Sequence, residues 1–517
     1  MVGMRISILL LPLVSAAAYA QASNCAEMAK LKLPGLQLEI TRAEWITAGP
    51  MPGGRGGGPG IALPAHCRIE GVLDRRSGLN TKEYGIGFAL ALPENWTGQF
   101  LQQGGGGLNG SVATPLGGQA AGTTPALARG MAVVTTDTGH KGTGSFDSSF
   151  MQDQQAVLDF EYVAIGRVAV LAKQIIETYY RKPPAHSYYV GCSTGGREAM
   201  ITTQRYPLYF DGVVAGSPAM RTSLSNLATR SVSVAFNRIA KKGPDGRPIA
   251  GSAFSDSDRT AIVNKLVETC DPLDGIRDGM IFDPMACKFD PAMLACKGAK
   301  ADGCLSPEQV SALQKAFAGP KDSKGVQVYP GFFFDTGITA TGGGIPGLLV
   351  SSASPVGGPN LNTEQDVDAE VATARANLAA QLGDSAYWVN LSTFSGRGGK
   401  LIFYHGVSDP WFSAKDTIGY YERLGAANGG AGKVKDWSRL FLSPGMGHCG
   451  GGSATLDTFD MLGAVVNWVE HGQAPDALPA TGRAFPGRSR PLCAFPEHAQ
   501  YTGQGNPEDA ANFVCKP

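Results

Sequence analysis

Three short stretches carry residues whose types and order suit acyl-transfer chemistry. The first runs from Tyr188 to Glu198 and reads as a β-strand, a sharp turn and the start of a helix. Within it, Gly191-Cys192-Ser193-Thr194-Gly195 fits the pattern G-x-S-x-G, in which a strained turn lifts a serine hydroxyl above a sheet. Glycines two positions either side let neighbouring backbone pass without a Cβ. With 70 glycines in 517 residues, such a pattern also arises as an ordinary turn, so its partners decide. A hydroxyl nucleophile needs a base, and the base needs an orienting acid. There are only seven histidines to search. His448 lies in Gly445-Met-Gly-His-Cys-Gly450, and Asp409 ends His405-Gly-Val-Ser-Asp409. Each stretch directly follows an expected strand, and the order is Ser, Asp, His. The ordinary alternatives are a helix cap at Asp409 and a plain loop residue at His448. His405 competes as the base, but it precedes Asp409 and comes straight off a strand, so it is assigned to the pocket lining.

Cys192 immediately precedes Ser193, and Cys449 immediately follows His448. If the serine and the imidazole are within about 3 Å, their neighbours can meet the Cα separation of about 4.4–6.8 Å that a disulfide needs. The spacing therefore predicts a Cys192–Cys449 bond stapling base to nucleophile.

Composition and hydrophobic pattern define the scaffold around these stretches. Charged residues make up 17%, hydrophobic residues 43%, and formal net charge is zero. A chain without basic excess is a poor nucleic-acid binder, and one this apolar is not disordered. Arg5, the apolar run Ile6–Ala18 and Ala18-Tyr19-Ala20 read as an export signal over residues 1–20, which implies a secreted or periplasmic protein. No other apolar run is long enough for a transmembrane helix, so no membrane partner is expected. In an exported chain the ten cysteines read as five disulfides; with no C-x-x-C pair, metal binding by cysteine is not favoured.

Strands are expected at 84–92, 100–103, 131–136, 188–192 and 210–218, with a helix over 160–180. This alternation predicts an α/β fold with a mainly parallel sheet covered on both faces. The rhythm stops between residues 222 and 396 and resumes with Lys400–His405, Arg439–Leu442 and a closing helix over 461–470. The reading is a core over 21–221, an inserted lid domain over 222–396, and the rest of the core over 397–517.

Gly191-Cys-Ser-Thr-Gly-Gly-Arg-Glu198, Tyr404-His-Gly-Val-Ser-Asp409 and Pro444-Gly-Met-Gly-His-Cys449 resemble the tannase/feruloyl esterase family. That family has the α/β-hydrolase fold and includes mono(2-hydroxyethyl) terephthalate hydrolases. The resemblance implies a serine carboxylic-ester hydrolase with Ser193 as nucleophile, Asp409 orienting, and His448 as base and then acid. It implies oxyanion-hole N–H groups from Gly107, in the glycine run 104–107, and from Thr194. It also implies a calcium ion in the lid, held by Asp271, Asp274 and Asp278 with the carbonyls of Ile276 and Met280. The acid-rich loop 271–280 suits such a cation in kind, although its spacing is not that of an EF-hand. The family pattern pairs Cys270 with Cys287, Cys25 with Cys67, Cys296 with Cys304, and Cys493 with Cys515. No organic cofactor is expected.

The expected substrate is a small ester of an aromatic acid, of the feruloyl type. Gallate and mono(2-hydroxyethyl) terephthalate esters are the alternatives, and a non-catalytic secreted ligand-binding relative is the reading from a different class. Trp388, Trp411 and Phe412, with His405, are the expected pocket residues, and Phe332, Phe333, Phe334 and Tyr387 are further aromatics from the lid.

Overall fold

The computed structural model describes residues 23–51, 60–78, 81–340, 346–350, 353–354 and 358–517. The expected export signal lies outside them. Nine strands form one sheet: β1 (Leu38–Ile46), β2 (His66–Ser77), β3 (Glu83–Pro93), β4 (Gln99–Gln103), β5 (Ala132–Thr136), β6 (His186–Cys192), β7 (Gly212–Gly216), β8 (Lys400–Gly406) and β9 (Ser438–Ser443). Their order is β1-β2-β3-β5-β4-β6-β7-β8-β9. From β5 through β4 to β9 all neighbours are parallel. The β1–β2, β2–β3 and β3–β5 pairs are antiparallel, so the sheet is mainly parallel, as expected, with an antiparallel edge. The β2–β3 pair is a hairpin with a short connection, because antiparallel neighbours need no crossover helix.

The parallel strands are buried at nearly every position because both faces are covered. Along β8 the side chains alternate. Leu401 and Phe403 pack in one core with Ile165, Val168 and Leu171 of helix α1 (Ala164–Tyr180). Ile402 and Tyr404 pack in a second core on the opposite face, with Leu462 and Val465 of the closing helix (Met461–His471). The helical run before α1 begins earlier than residue 160. Gln154–Leu158 is already helical, because the Asp153 side chain caps it through the Ala156 N–H, and a π-helical turn over Asp159–Val163 joins it to α1.

Helix α2 (Thr194–Arg205) follows β6 directly. Between β7 and β8 the chain builds an inserted region with a core of its own, including Phe236, Phe254, Leu266, Leu313 and Phe317. Its helices α3 (Thr222–Asn237), α4 (Asp256–Cys270) and α5 (Pro307–Ala318) frame that core. Capping boxes at Ser255/Asp258 and Ser306/Gln309 start α4 and α5 by satisfying N–H groups that a helix leaves unpaired. Helix α6 (Ala414–Ala427) lies between β8 and β9 in the chain. Disulfides join Cys25–Cys67, Cys192–Cys449, Cys270–Cys287, Cys296–Cys304 and Cys493–Cys515. Among the described residues no helix is long and apolar enough to cross a membrane.

Candidate active site

Four loops leave the carboxyl ends of parallel strands β4, β6, β8 and β9, which is where open α/β sheets hold their chemistry. They carry the glycine run, Ser193, Asp409 and His448 respectively.

Ser193 turns between β6 and α2 with φ 66° and ψ −124°, a backbone conformation that side chains rarely adopt. Two glycines make the turn possible. A Cβ on Gly191 would lie 2.2 Å from the Gly195 carbonyl oxygen, and one on Gly195 would lie 2.8 Å from that of Gly105. The Cys192–Cys449 disulfide, with Cα atoms 6.0 Å apart, ties this turn to the loop after β9 although 257 residues separate the two in the chain.

His448 Nδ1 lies 2.7 Å from Asp409 Oδ2. Asp409 Oδ1 accepts the backbone N–H groups of Trp411 at 2.9 Å and Phe412 at 3.1 Å. Burial pushes the Asp409 carboxyl up, but His448 and His405 beside it outweigh burial and hold it well below the usual carboxylate range. An ionised Asp409 fixes the Nδ1–H tautomer and leaves Nε2 as the available base. Ser193 Oγ has no hydrogen-bond partner among the described residues, and His448 Nε2 lies 3.7 Å from Cys449 Sγ. Such contacts are often long without substrate and tighten when it binds.

His405 is not pocket lining. It is wholly buried, with Nδ1 2.8 Å from Thr417 Oγ1 and Nε2 2.9 Å from the Phe412 carbonyl oxygen. Nε2 is also 3.4 Å from Asp409 Oδ2, so this ring backs the acid from inside the fold.

The N–H groups of Gly107 and Thr194 have no acceptor among the described residues, as an oxyanion hole requires. Thr194 Oγ1 donates to the Gly107 carbonyl and holds the two segments together. Glu198, which its motif alone gives no role, anchors the glycine loop. Fully buried on α2, Glu198 Oε2 accepts from Gly105 N at 3.0 Å and Tyr189 Oη at 2.7 Å, while Oε1 accepts from Asn109 Nδ2 at 3.0 Å. The only hint in the sequence is its place one helical turn beyond Ser193.

The rings of Trp411 and Phe412 each lie 5.2 Å from the His448 ring and flank it. Phe146 joins them edge-on, 5.8 Å from Trp411 and beside Gly107. Trp388 does not join this group. It is exposed, and its carbonyl accepts from Gln204 at the far end of α2, roughly 16 Å along the helix from Ser193. Phe332 and Phe334 belong to the core of the inserted region, where Phe334 stacks on Phe317 at 4.0 Å, and Phe333 packs in the main core.

In the loop 271–280, Asp271 accepts the N–H groups of Asp278 and Gly279, and Asp274 that of Ile276. Arg490 pairs with Asp278. Buried Asp274 Oδ2 has no partner among the described residues. Burial, with Asp278 and Asp271 nearby, pushes this carboxyl up to about 7. An orphaned carboxylate oxygen among further acids and backbone carbonyls suits a hard cation in kind. Among the described residues no three acidic, histidine or cysteine side chains stand gathered around one ion position.

A family model described as tannase and feruloyl esterase matches residues 67–516. The mono(2-hydroxyethyl) terephthalate hydrolase of Piscinibacter sakaiensis is 36% identical, over 88% of this chain and 85% of its own. Feruloyl esterase B of Aspergillus niger is 30% identical over 82% of each chain. The crystal structure of feruloyl esterase B from Aspergillus oryzae superposes with a TM-score of 0.76 at 27% identity, covering 96% of this chain and all of that one. The chain belongs to the tannase and feruloyl esterase family of carboxylic ester hydrolases.

Proposed function

We propose that the protein is an exported serine esterase that cleaves esters of aromatic acids, of the feruloyl type, through an acyl-enzyme on Ser193. The observation that carries this is the 2.7 Å Asp409–His448 pair, stapled to the strained Ser193 turn by the Cys192–Cys449 disulfide. His448 takes the Ser193 proton as Oγ attacks the ester carbonyl, then gives it to the departing alcohol. Water, deprotonated by the same Nε2, attacks the acyl-enzyme and releases the acid. The N–H groups of Gly107 and Thr194 receive the charge on the carbonyl oxygen. Losing one such donor costs about 2.7–4 kcal/mol of transition-state stabilisation. Trp411 and Phe412 supply aromatic faces beside the base for the acyl ring. The inserted region acts as the lid.

The 36% identity to a mono(2-hydroxyethyl) terephthalate hydrolase favours that ester as a second reading. A panel of methyl ferulate, methyl gallate and mono(2-hydroxyethyl) terephthalate, compared by kcat/KM, separates the readings. Failure on every ester by both wild type and Ser193→Ala removes the aromatic-ester claim.

A calcium ion on the loop 271–280 is part of the proposal. Asp271, Asp274 and Asp278, with the carbonyls of Ile276 and Met280, would hold it, and it would supply cross-linking rather than chemistry. The orphaned Asp274 oxygen supports this. Chelation with EGTA is expected to lower the melting temperature, with recovery on adding calcium; an unmoved melting temperature contradicts the metal.

A further inference from the structure

Asp335, in the inserted region, reaches both loops that carry the acid and the base. Its Oδ2 accepts from Ser408 Oγ at 2.7 Å and from Gly445 N at 2.7 Å. Ser408 immediately precedes Asp409, and Gly445 lies three residues before His448. The neighbouring Gly337 N–H donates to the same Ser408 Oγ at 2.9 Å. The backbone there comes so close that a Cβ on Gly337 would lie 2.5 Å from the Gly445 carbonyl oxygen.

The Asp335 side chain is wholly buried, and its second oxygen, Oδ1, has no partner among the described residues. Burying a carboxylate with an unmatched oxygen is unfavourable, and stability alone is served better by an apolar residue of similar shape. What the carboxylate supplies is a single point that fixes Ser408 and Gly445 relative to each other. The Asp409–His448 bond spans these two loops, and its alignment depends on their separation. About 1 Å of misplacement in such a pair can cost on the order of 100-fold in rate.

We propose that Asp335 is a positioning residue that sets the Asp409–His448 geometry from the inserted region, so that docking of that region and competence of the acid–base pair are one event. This rests on the serine-esterase reading above. Asp335 touches no reacting atom and acts only through Ser408 and Gly445.

The test compares wild type, Asp335→Ala, Asp335→Asn, Ser408→Ala and Ser193→Ala on methyl ferulate. Each value is taken per folded molecule, with folding checked by near-ultraviolet circular dichroism. Asp335→Ala removes the shared acceptor, and kcat is expected to fall roughly 100-fold with KM changed less than about threefold. Asp335→Asn keeps one oxygen able to accept from both donors and is expected to restore most of kcat. A residue that only stabilises the fold would lower the melting temperature and leave kcat per folded molecule unchanged, and that result overturns the proposal. If Asp335→Ala does not fold, Ser408→Ala decides: a fall in kcat at steady KM supports the role, and wild-type kcat overturns it. Residual activity in Ser193→Ala would instead remove the serine reading itself. An inactive Ser193→Ala beside a fully active Asp335→Ala removes only the role of Asp335.

Discussion

Asp409 Oδ2 holds His448 Nδ1 at 2.7 Å while its other oxygen is fixed by the backbone N–H groups of Trp411 and Phe412. One carboxylate thus orients the His448 ring and shapes the turn that brings two aromatic rings beside it. Asp409→Asn can keep the shape while losing the charge that selects the Nδ1–H tautomer. The expected result is a fall in kcat of about 10⁴-fold with a native fold. Steady-state kinetics on methyl ferulate measure this, and a loss of tenfold or less contradicts the orienting role.

Glu198 links the glycine loop to the helix that follows Ser193 through Gly105, Asn109 and Tyr189. Removing it frees the segment that presents the Gly107 N–H. Glu198→Ala is expected to lower kcat by about 10²–10³-fold, the scale of losing one oxyanion donor. KM is expected to hold nearly constant, because the donor acts on the transition state. A rise in KM at constant kcat would place Glu198 in substrate binding instead.

Asp137 follows β5, and its Oδ1 accepts from Gly87 N at 2.8 Å and Gly139 N at 3.0 Å. Burial pushes its pKa up to about 7 against those bonds. The folded pKa lies above the unfolded one, so the fold favours the protonated acid. The stabilisation is fully present below about pH 4 and is lost as pH rises through about 7. Asp137→Asn stays neutral throughout. Its melting temperature is expected to fall less than that of wild type between pH 5 and 8, and equal falls contradict the assignment.

Covalent neighbours made the centre of the site legible. Cys192 beside Ser193 and Cys449 beside His448 encode a long-range contact in local sequence, and the disulfide forms there. The strand ends carrying Asp409 and His448 were readable for a similar reason, since short apolar runs ending in glycine and polar residues mark the carboxyl edge of a sheet. The alternation of strands and helices made the parallel direction readable from β4 to β9, but not the antiparallel edge. The apolar pattern of β3 is the same whether its neighbours run parallel or antiparallel. His405 was misplaced because only Thr417 on α6 and the Phe412 carbonyl show that its ring turns inward. Trp388 was misplaced because an aromatic side chain does not report which end of α2 it lies against. Glu198 and Asp335 escaped notice because their partners are distant in the chain: Asn109 is 89 residues from Glu198, and Gly445 is 110 residues from Asp335.

The proposed mechanism passes through a covalent acyl group on Ser193, which acid-quench mass spectrometry detects. Enzyme mixed with excess methyl ferulate is quenched within the first turnovers, digested and mapped. The expected result is a feruloyl mass increment on the peptide containing Ser193, absent in Ser193→Ala and accumulating in His448→Ala only at a greatly reduced rate. A feruloyl group found on any other side chain of an active preparation rules Ser193 out as the nucleophile.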